Sequence, residues 1–290
     1  MADPLPLCYL DGDYLPLREA RISPLDRGFL YADGVYEVMP VYGGRPFRFM
    51  AHAERLARSL AALRMANPHS DAEWRAILGA LAERNGGGDQ YIYWQVTRGA
   101  QYGRTHAPLP DIARTVFAFC APLPAATPQQ LETGIACITA VDTRWARCDV
   151  KSVALLANVL LRQESIDAGA AETILLREGE LTEASASAVH VVIGRELLTP
   201  PNSRRILPGT TRGVVEEMAG RASIAWRSAP VTEAQLRAAD EILISAATRE
   251  VQAVTRLDGR PVGTGKPGPH WRAIYDQLQL YKSELAGTPW

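Results

Sequence analysis

Residues 147–161 read RCDVKSVALLANVLL, which puts a lysine, Lys151, at the head of one of the most apolar runs in the chain. The chain carries 28 arginines and only three lysines: Lys151, Lys266 and Lys282. So Arg-biased a sequence uses arginine wherever only positive charge is wanted, and a surviving lysine raises a chemical question. An amine can shed its proton and form an imine, whereas a guanidinium cannot. Lys266, in the loop GTGKPGP, and Lys282, near the end of the last helical pattern, read as solvent-facing. Lys151 reads as the start of a helix, KSVALLANVLLRQESIDAG (151–169). The plainer alternative is a lysine that snorkels from a helix start or pairs with Asp149.

Upstream, CYLDGDYLPL (8–17) and VYEVMPVYGGRPFRF (35–49) read as hairpins turning at Asp11-Gly12-Asp13 and at Gly43-Gly44. AHAERLARSLAAL (51–63) places Leu56, Leu60 and Leu63 on one helical face. DAEWRAILGALAERN (71–85), capped by Ser70 or Asp71, is a second helix that stops at Gly86-Gly87-Gly88. QYIYWQVTR (90–98) and TVFAFCAPL (115–123) have strand character. Downstream, GIACITAV (134–141) reads as a strand, and AETILLREGELTE (171–183) and SAVHVVIGRELLTP (187–200) as paired strands. TTRGVVEEMAGRA (210–222) is a helix, DEILISAATREVQAVTRLDGRPV (240–262) returns to strand, and PHWRAIYDQLQLYKSEL (269–285) closes as a helix. The expectation is an α+β (α/β) protein with mixed sheets: a smaller N-terminal domain over 1–122, a proline-containing linker over 123–129, and a larger C-terminal domain over 130–290 that carries Lys151.

Composition narrows the function classes. With 290 residues, 47% apolar and 22% charged, the chain has ample material for a core and is not disordered. A net charge of −1 offers nothing to a polyanion, so no nucleic-acid partner is expected. The four cysteines lie far apart without a CxxC pair, which suits a reduced, cytoplasmic setting. MADPLPLCYLDGDY lacks the basic and apolar runs of a signal peptide, and no apolar run approaches the ~20 residues of a membrane helix. The five histidines have no ligand spacing, so no metal is expected. GTGKPG (263–268) has the glycines of a dinucleotide loop but a proline inside it and too little chain behind it.

If Lys151 forms an imine with pyridoxal phosphate, further groups are required. A phosphate needs a guanidinium together with hydroxyls or amides at a helix start. The pyridine nitrogen needs a carboxylate, and a substrate carboxylate needs a clamp. The strings DRGFLYADGVYEV (26–38), HAERL (52–56), RCDVKS (147–152), LTEASAS (181–187) and LPGTTR (207–212) supply candidates. Together and in this order they resemble the aminotransferases of pyridoxal phosphate fold type IV, most of all the D-amino acid aminotransferases, from about residue 8 to 280.

The resemblance implies a two-domain type IV architecture, pyridoxal 5′-phosphate as cofactor, and a homodimer. It makes Lys151 the imine-forming catalytic residue and Glu183 the partner of the pyridinium nitrogen. Arg55 becomes a phosphate ligand, although on pattern alone Arg58 would serve as well. Gly209, Thr210 and Thr211 join it at the start of a helix, with Ala247 in ISAATRE (244–250) also at the cofactor. Tyr36, Val38, Arg104 and His106 are implied on the substrate side. The implied reaction is ping-pong transamination between a D-amino acid of the D-alanine or D-glutamate type and 2-oxoglutarate or pyruvate. The alternatives are a branched-chain L-amino acid or (R)-amine transaminase, an aminodeoxychorismate lyase, or, in another class, a non-catalytic binding protein with a structural Lys151. Ala186, Ala188, Ala246 and Ala247 depart from the family's Ser, Asn or Thr, which puts cofactor affinity and substrate range in question.

Overall fold

Leu10 lies opposite Asp13 where β1 (Leu7–Leu10) and β2 (Asp13–Pro16) pair antiparallel, and the turn between them uses positive φ at Asp11 and Gly12. In this structure, a computed structural model, residues 3–285 and 290 are described. The opening stretch is therefore described from Asp3 onward, and 286–289 of the expected C-terminal domain lie outside the described residues. The chain divides into two compact units, each described by itself.

The first unit holds the residues up to Pro124, Val150–Ala154, Leu285 and Trp290. After the first hairpin come α1 (Arg27–Tyr31), β3 (Gly34–Tyr42), β4 (Arg45–Pro46), α2 (Phe49–Ala62), α3 (Asp71–Arg84), β5 (Gln90–Thr97) and β6 (Thr115–Pro122). The strands form one antiparallel sheet in the order β2-β1-β6-β5-β3-β4. Side chains alternate across a strand. Val35, Met39 and Val41 of β3 join Ile92, Trp94 and Val96 of β5 in a buried cluster with Leu56, Leu60, Trp74, Leu78 and Leu81 of α2 and α3. Tyr36 and Val38 lie on the other face, where Tyr36 stacks on Tyr93 at 5.5 Å and Tyr93 on Phe119 at 5.1 Å between centroids. Ser70, rather than Asp71, caps α3: its hydroxyl accepts from the Glu73 N–H while the Glu73 carboxylate accepts from the Ser70 N–H.

The second unit holds Ala125–Asp149 and Leu155–Glu284. It contains α4 (Pro128–Thr133), β7 (Ile135–Val141), α5 (Leu156–Asp167), β8 (Glu172–Arg177), β9 (Glu180–Ala184), β10 (Ala188–Ile193), β11 (Glu196–Thr199), α6 (Thr210–Arg221), β12 (Ala225–Ser228), α7 (Glu233–Arg237), β13 (Glu241–Ala246), β14 (Glu250–Leu257), β15 (Arg260–Pro261) and α8 (Pro269–Glu284). Its nine-stranded sheet runs β12-β11-β10-β13-β14-β7-β8-β9, with β15 on β14. The sheet is mixed, with parallel pairs at β11–β12, β14–β7 and β7–β8. Its core gathers Ile174, Val189, Val191, Ile242, Ile244 and Val254 among others.

Three local expectations change. The helix expected from Lys151 begins at Leu156. Residues 151–153 instead run beside β3: Tyr36 N–H donates to Lys151 O at 3.0 Å, Val153 N–H to Gly34 O at 3.1 Å, and Ser152 bridges Val35. Those bonds occupy the backbone as a strand would, and they group Lys151 with the first unit, whereas the sequence pattern puts it in the larger C-terminal domain. Secondly, α4 starts inside the proline-containing segment, with Thr127 as N-cap and Pro128 at the first helical position. Finally, β12 and the short α1, α4 and α7 are not foreseen as elements, because one- or two-turn helices hold too few residues for a periodic signal and β12 is exposed at every position. Among the described residues, no helix is long and apolar enough to cross a membrane, and no group of three His, Cys, Asp or Glu could hold a metal ion.

Candidate active site

Lys151 is held by its main chain. Its N–H donates to Ser59 Oγ on α2 at 3.2 Å, its carbonyl accepts from Tyr36, and its Nζ lies 4.1 Å from the centroid of the Tyr36 ring. No carboxylate pairs with this amine among the described residues, and Asp149 pairs with Arg147 instead. A half-buried amine over an aromatic face keeps a weak cation–π contact and no ion pair. Tyr36 and Val38, expected on the substrate side, share the sheet face that carries this amine's ring partner.

On the opposite face of β3, Glu37 is fully buried. Arg55 Nε and Nη2 each donate to its carboxylate at 2.7 Å, and His52 Nδ1 lies 2.8 Å from Oε2. Burial alone would raise the Glu37 pKa, but the Arg55 charge and its hydrogen bonds, with His52, overcome it and hold the group at about 2. Arg55 and Arg58, equivalent in the helical pattern, are separated here: Arg55 is buried and Arg58 exposed. Two of the Arg55 nitrogens are thus occupied by a carboxylate of its own unit. Glu37 and His52 are missed by the sequence reading. The available signal was a charged residue at an inward position of an alternating strand, which demands a buried cation.

Arg104 and His106 sit in an exposed loop between β5 and β6 and gather on Tyr31 of α1. The Arg104 guanidinium carbon lies 5.0 Å from that ring's centroid, and the His106 ring lies 5.6 Å from it. Tyr31 was not foreseen, and Tyr36 is occupied elsewhere with Lys151 and Tyr93.

In the second unit, Glu183 on β9 is buried beside Arg144. Arg144 Nη1 donates to Glu183 Oε1, and the Leu207 N–H lies 3.2 Å from each carboxylate oxygen. The rest of the Arg144 fork goes to Asp142: Nε donates to Oδ1 at 3.0 Å and Nη2 to Oδ2 at 2.9 Å. Asp142 also pairs with Arg177 and accepts from Thr182 Oγ1. Burial raises the Glu183 pKa, and the opposing pull of Arg144 and the Leu207 N–H does not cancel it, with Asp142 adding to the rise. Arg144 and Asp142, in DTRWARCDVK (142–151), are not singled out in the sequence because nothing in the pattern tells a buried ion pair from a polar loop.

Leu207, bonded to Glu183, leads directly into α6, so the structure brings Glu183 and the Gly209–Thr211 segment together. Gly209 is the N-cap and no side chain caps this helix, whose first-turn N–H groups have no intrahelical acceptor. Ala247 opens the turn after β13, next to Ala246. Ser245 Oγ, one residue earlier, lies 3.0 Å from His190 Nε2, while His190 Nδ1 lies 2.9 Å from Thr199 Oγ1. Burial, with Arg212 nearby, lowers the His190 pKa to about 3, so this histidine ties three strands together as a neutral ring. Ser185 and Ser187 both donate to the buried Glu172, whereas Ala186 points to solvent, so its departure from the family string loses no buried hydrogen bond.

A family model described as amino-transferase class IV matches residues 34–257. A D-alanine aminotransferase of Bacillus licheniformis is 36% identical over 279 residues, covering 96% of this chain and 98% of the relative. Another, from Listeria innocua, is 38% identical over 266 residues, covering 91% and 90%. Among solved structures, a T.th. branched-chain amino acid aminotransferase with pyridoxamine 5′-phosphate superposes with a TM-score of 0.89 at 26% identity, covering 98% of this chain and 96% of that one. The matched span runs from the strand under Lys151 to the end of β14, and on that extent of agreement the chain belongs to the class IV aminotransferases, with the type IV fold its motifs implied.

Proposed function

We propose that this enzyme exchanges the amino group between a D-amino acid, of the D-alanine or D-glutamate type, and 2-oxoglutarate or pyruvate, using pyridoxal 5′-phosphate in two half-reactions. Lys151 carries the reading: in a chain of 28 arginines and three lysines, its amine has no acid partner among the described residues and rests on an aromatic ring. Taken residue by residue, the donors have the chemistry that the cofactor asks for. Lys151 would take its carbonyl and the under-compensated Glu183 its pyridine nitrogen, while the uncapped start of α6 (Gly209, Thr210, Thr211), with Arg55 and the Ala247 turn, would take its phosphate end. Bound there, pyridoxal phosphate supplies an electrophilic carbonyl and a sink for the electron pair left at the substrate Cα. The chain's own residues do the rest. Lys151 Nζ removes the Cα proton as general base, Arg104 and His106 hold the α-carboxylate with Tyr36, and Val38 shapes the pocket wall.

The D-amino acid preference draws support from relatives named D-alanine aminotransferase at 36% and 38% identity, against 26% for the branched-chain enzyme of known structure. We also read the enzyme as a homodimer. Leu156, Val159 and Leu160 stand exposed at helical spacing on α5, an apolar stripe that a second copy of this chain would cover. Four buried cysteines that form no disulfide fit a cytoplasmic setting.

The experiment has two arms. The purified protein, loaded with pyridoxal phosphate, should be yellow, and borohydride should fix the label on Lys151 by peptide mapping. A panel of D- and L-amino acids, each assayed with pyruvate and with 2-oxoglutarate, should then show turnover of D-alanine and D-glutamate. A protein that takes up no cofactor, or a panel in which only L-substrates react, defeats the proposal.

A further inference from the structure

Arg27, the first residue of α1, is a cation outside the residues assigned above, and its side chain is only 4% exposed. Its Nη1 donates to Thr105 O at 2.8 Å and its Nη2 to His106 O at 2.9 Å, so one guanidinium grips two successive carbonyls of the Arg104–His106 loop. Nε donates to Asp33 Oδ2 at 2.8 Å, which fixes the orientation of the fork. The main chain adds a third tie, Arg27 N–H to Gly99 O at 2.9 Å, where the loop leaves β5. Arg27 also lies 4.6 Å from the centroid of Tyr31, the ring on which Arg104 rests at 5.0 Å.

The loop is otherwise thinly anchored. Residues 102–110 are exposed, Tyr102 at 97%, and a further hold on them is Leu109 N–H to Gln101 Oε1 at 3.1 Å. Gripping the carbonyls of residues 105 and 106 fixes the peptides that aim the Arg104 and His106 side chains. A lysine could not do this, because a single ammonium lacks the planar fork that spans two carbonyls while meeting a carboxylate.

We infer that Arg27 is a positioning residue for the substrate carboxylate: by clamping the main chain of Thr105 and His106 it presents Arg104 and His106 in a binding-ready arrangement. The inference rests on the carboxylate-clamp role proposed above for Arg104 and His106. Without Arg27, binding must order two long side chains and the loop that carries them, and the expected penalty is a roughly ten- to hundredfold rise in KM. The chemistry at Lys151 and the holding of the cofactor lie on other residues and should be spared.

The test uses holoenzyme and four proteins: wild type, Arg27→Lys, Arg104→Ala and the double variant, each with its melting temperature and its affinity for pyridoxal phosphate. Arg27→Lys should raise KM for D-alanine and 2-oxoglutarate by that factor, with kcat and cofactor affinity near wild type. In the Arg104→Ala background, the same change should add clearly less than it does in wild type, because of the two side chains that Arg27 positions only His106 is left. Arg27→Ala gives a second route: added guanidinium should bring KM back toward wild type, and methylammonium should not. An unchanged KM, penalties that multiply in the double variant, or a rise in KM matched by equal losses of kcat and melting temperature overturns the inference. If the wild type turns over no D-amino acid while Arg27→Lys still loosens the loop in amide hydrogen exchange, the functional reading fails and the clamp does not. If it turns over D-amino acids and Arg27→Lys is silent, the clamp alone fails.

Discussion

Glu37 and Glu183 are both buried and both bonded to an arginine, yet their protons are held in opposite senses. On β3, Arg55 gives two nitrogens to Glu37, and His52 faces the same carboxylate. On β9, Arg144 gives Glu183 one nitrogen and spends the other two on Asp142. Burial works against both anions. It is overcome at Glu37, held at about 2, and not overcome at Glu183, which is raised. What each carboxylate receives directly decides the outcome, not burial, which the two share: Glu37 takes two guanidinium nitrogens and faces a histidine ring, whereas Glu183 takes one guanidinium nitrogen and has Asp142 nearby. Glu37 is an anion already compensated within the first unit. Glu183 is an anion that would gain most from one more cation, which is what a protonated ring nitrogen would bring.

The largest expected effect comes from breaking the compensated pair. Glu37→Gln leaves the Arg55 guanidinium buried opposite an uncharged amide, and removing one partner of a buried pair costs about 3–5 kcal/mol. Urea unfolding should show it as a lower midpoint. The pH dependence carries the sign: a carboxyl lowered from 4.5 to about 2 contributes stability that is complete above its ordinary value and fades as the pH falls toward 2. Wild type should therefore lose stability across that acid window, and the variant should lack that portion of the slope. An acid limb of the same steepness in both proteins would mean that the pair is not closed.

Glu183→Gln should show the reverse profile. Removing a charge that burial already disfavours leaves stability within about 1 kcal/mol, while loss of one preorganised electrostatic partner lowers kcat by about a hundredfold. The check is the D-alanine assay run beside the same urea titration. Should Glu183→Gln unfold as readily as Glu37→Gln and keep its turnover, the contrast between the two glutamates collapses.

Much of this was legible in the sequence, for a physical reason. Strands, hairpins and long helices follow local period and turn chemistry, so β1 to β3, α2, α3, α6 and α8 could be read from their own residues. Lys151 stands out because a lysine in an arginine-biased chain is a property of the string itself, whereas Glu183, a turn residue on its own pattern, is marked only by the family resemblance that the five motifs carry. The helix expected from Lys151 failed because hydrogen bonds to Gly34 and Tyr36, more than a hundred residues away in sequence, outweigh the local pattern. Arg144, Asp142, Glu37 and Arg27 share that limitation. Each matters through a partner that only folding brings near, and the partner's charge sets what it does.

The smallest effect carries the same contrast to two helix starts. In the first unit, Ser70 and Glu73 satisfy the opening donors of α3 with a capping box, whereas in the second unit no side chain caps α6. Ser70→Ala should cost about 1 kcal/mol, by the same amount with or without inorganic phosphate, since that helix end is already complete. Thr210→Val and Thr211→Val should change the phosphate-free melting temperature by less than Ser70→Ala does. They should, however, reduce the rise that added phosphate gives wild type, because an anion bound only by the folded state stabilises it in proportion to its affinity. If phosphate raises the melting temperature of both threonine variants as much as that of wild type, the Thr210 and Thr211 hydroxyls do not hold the anion.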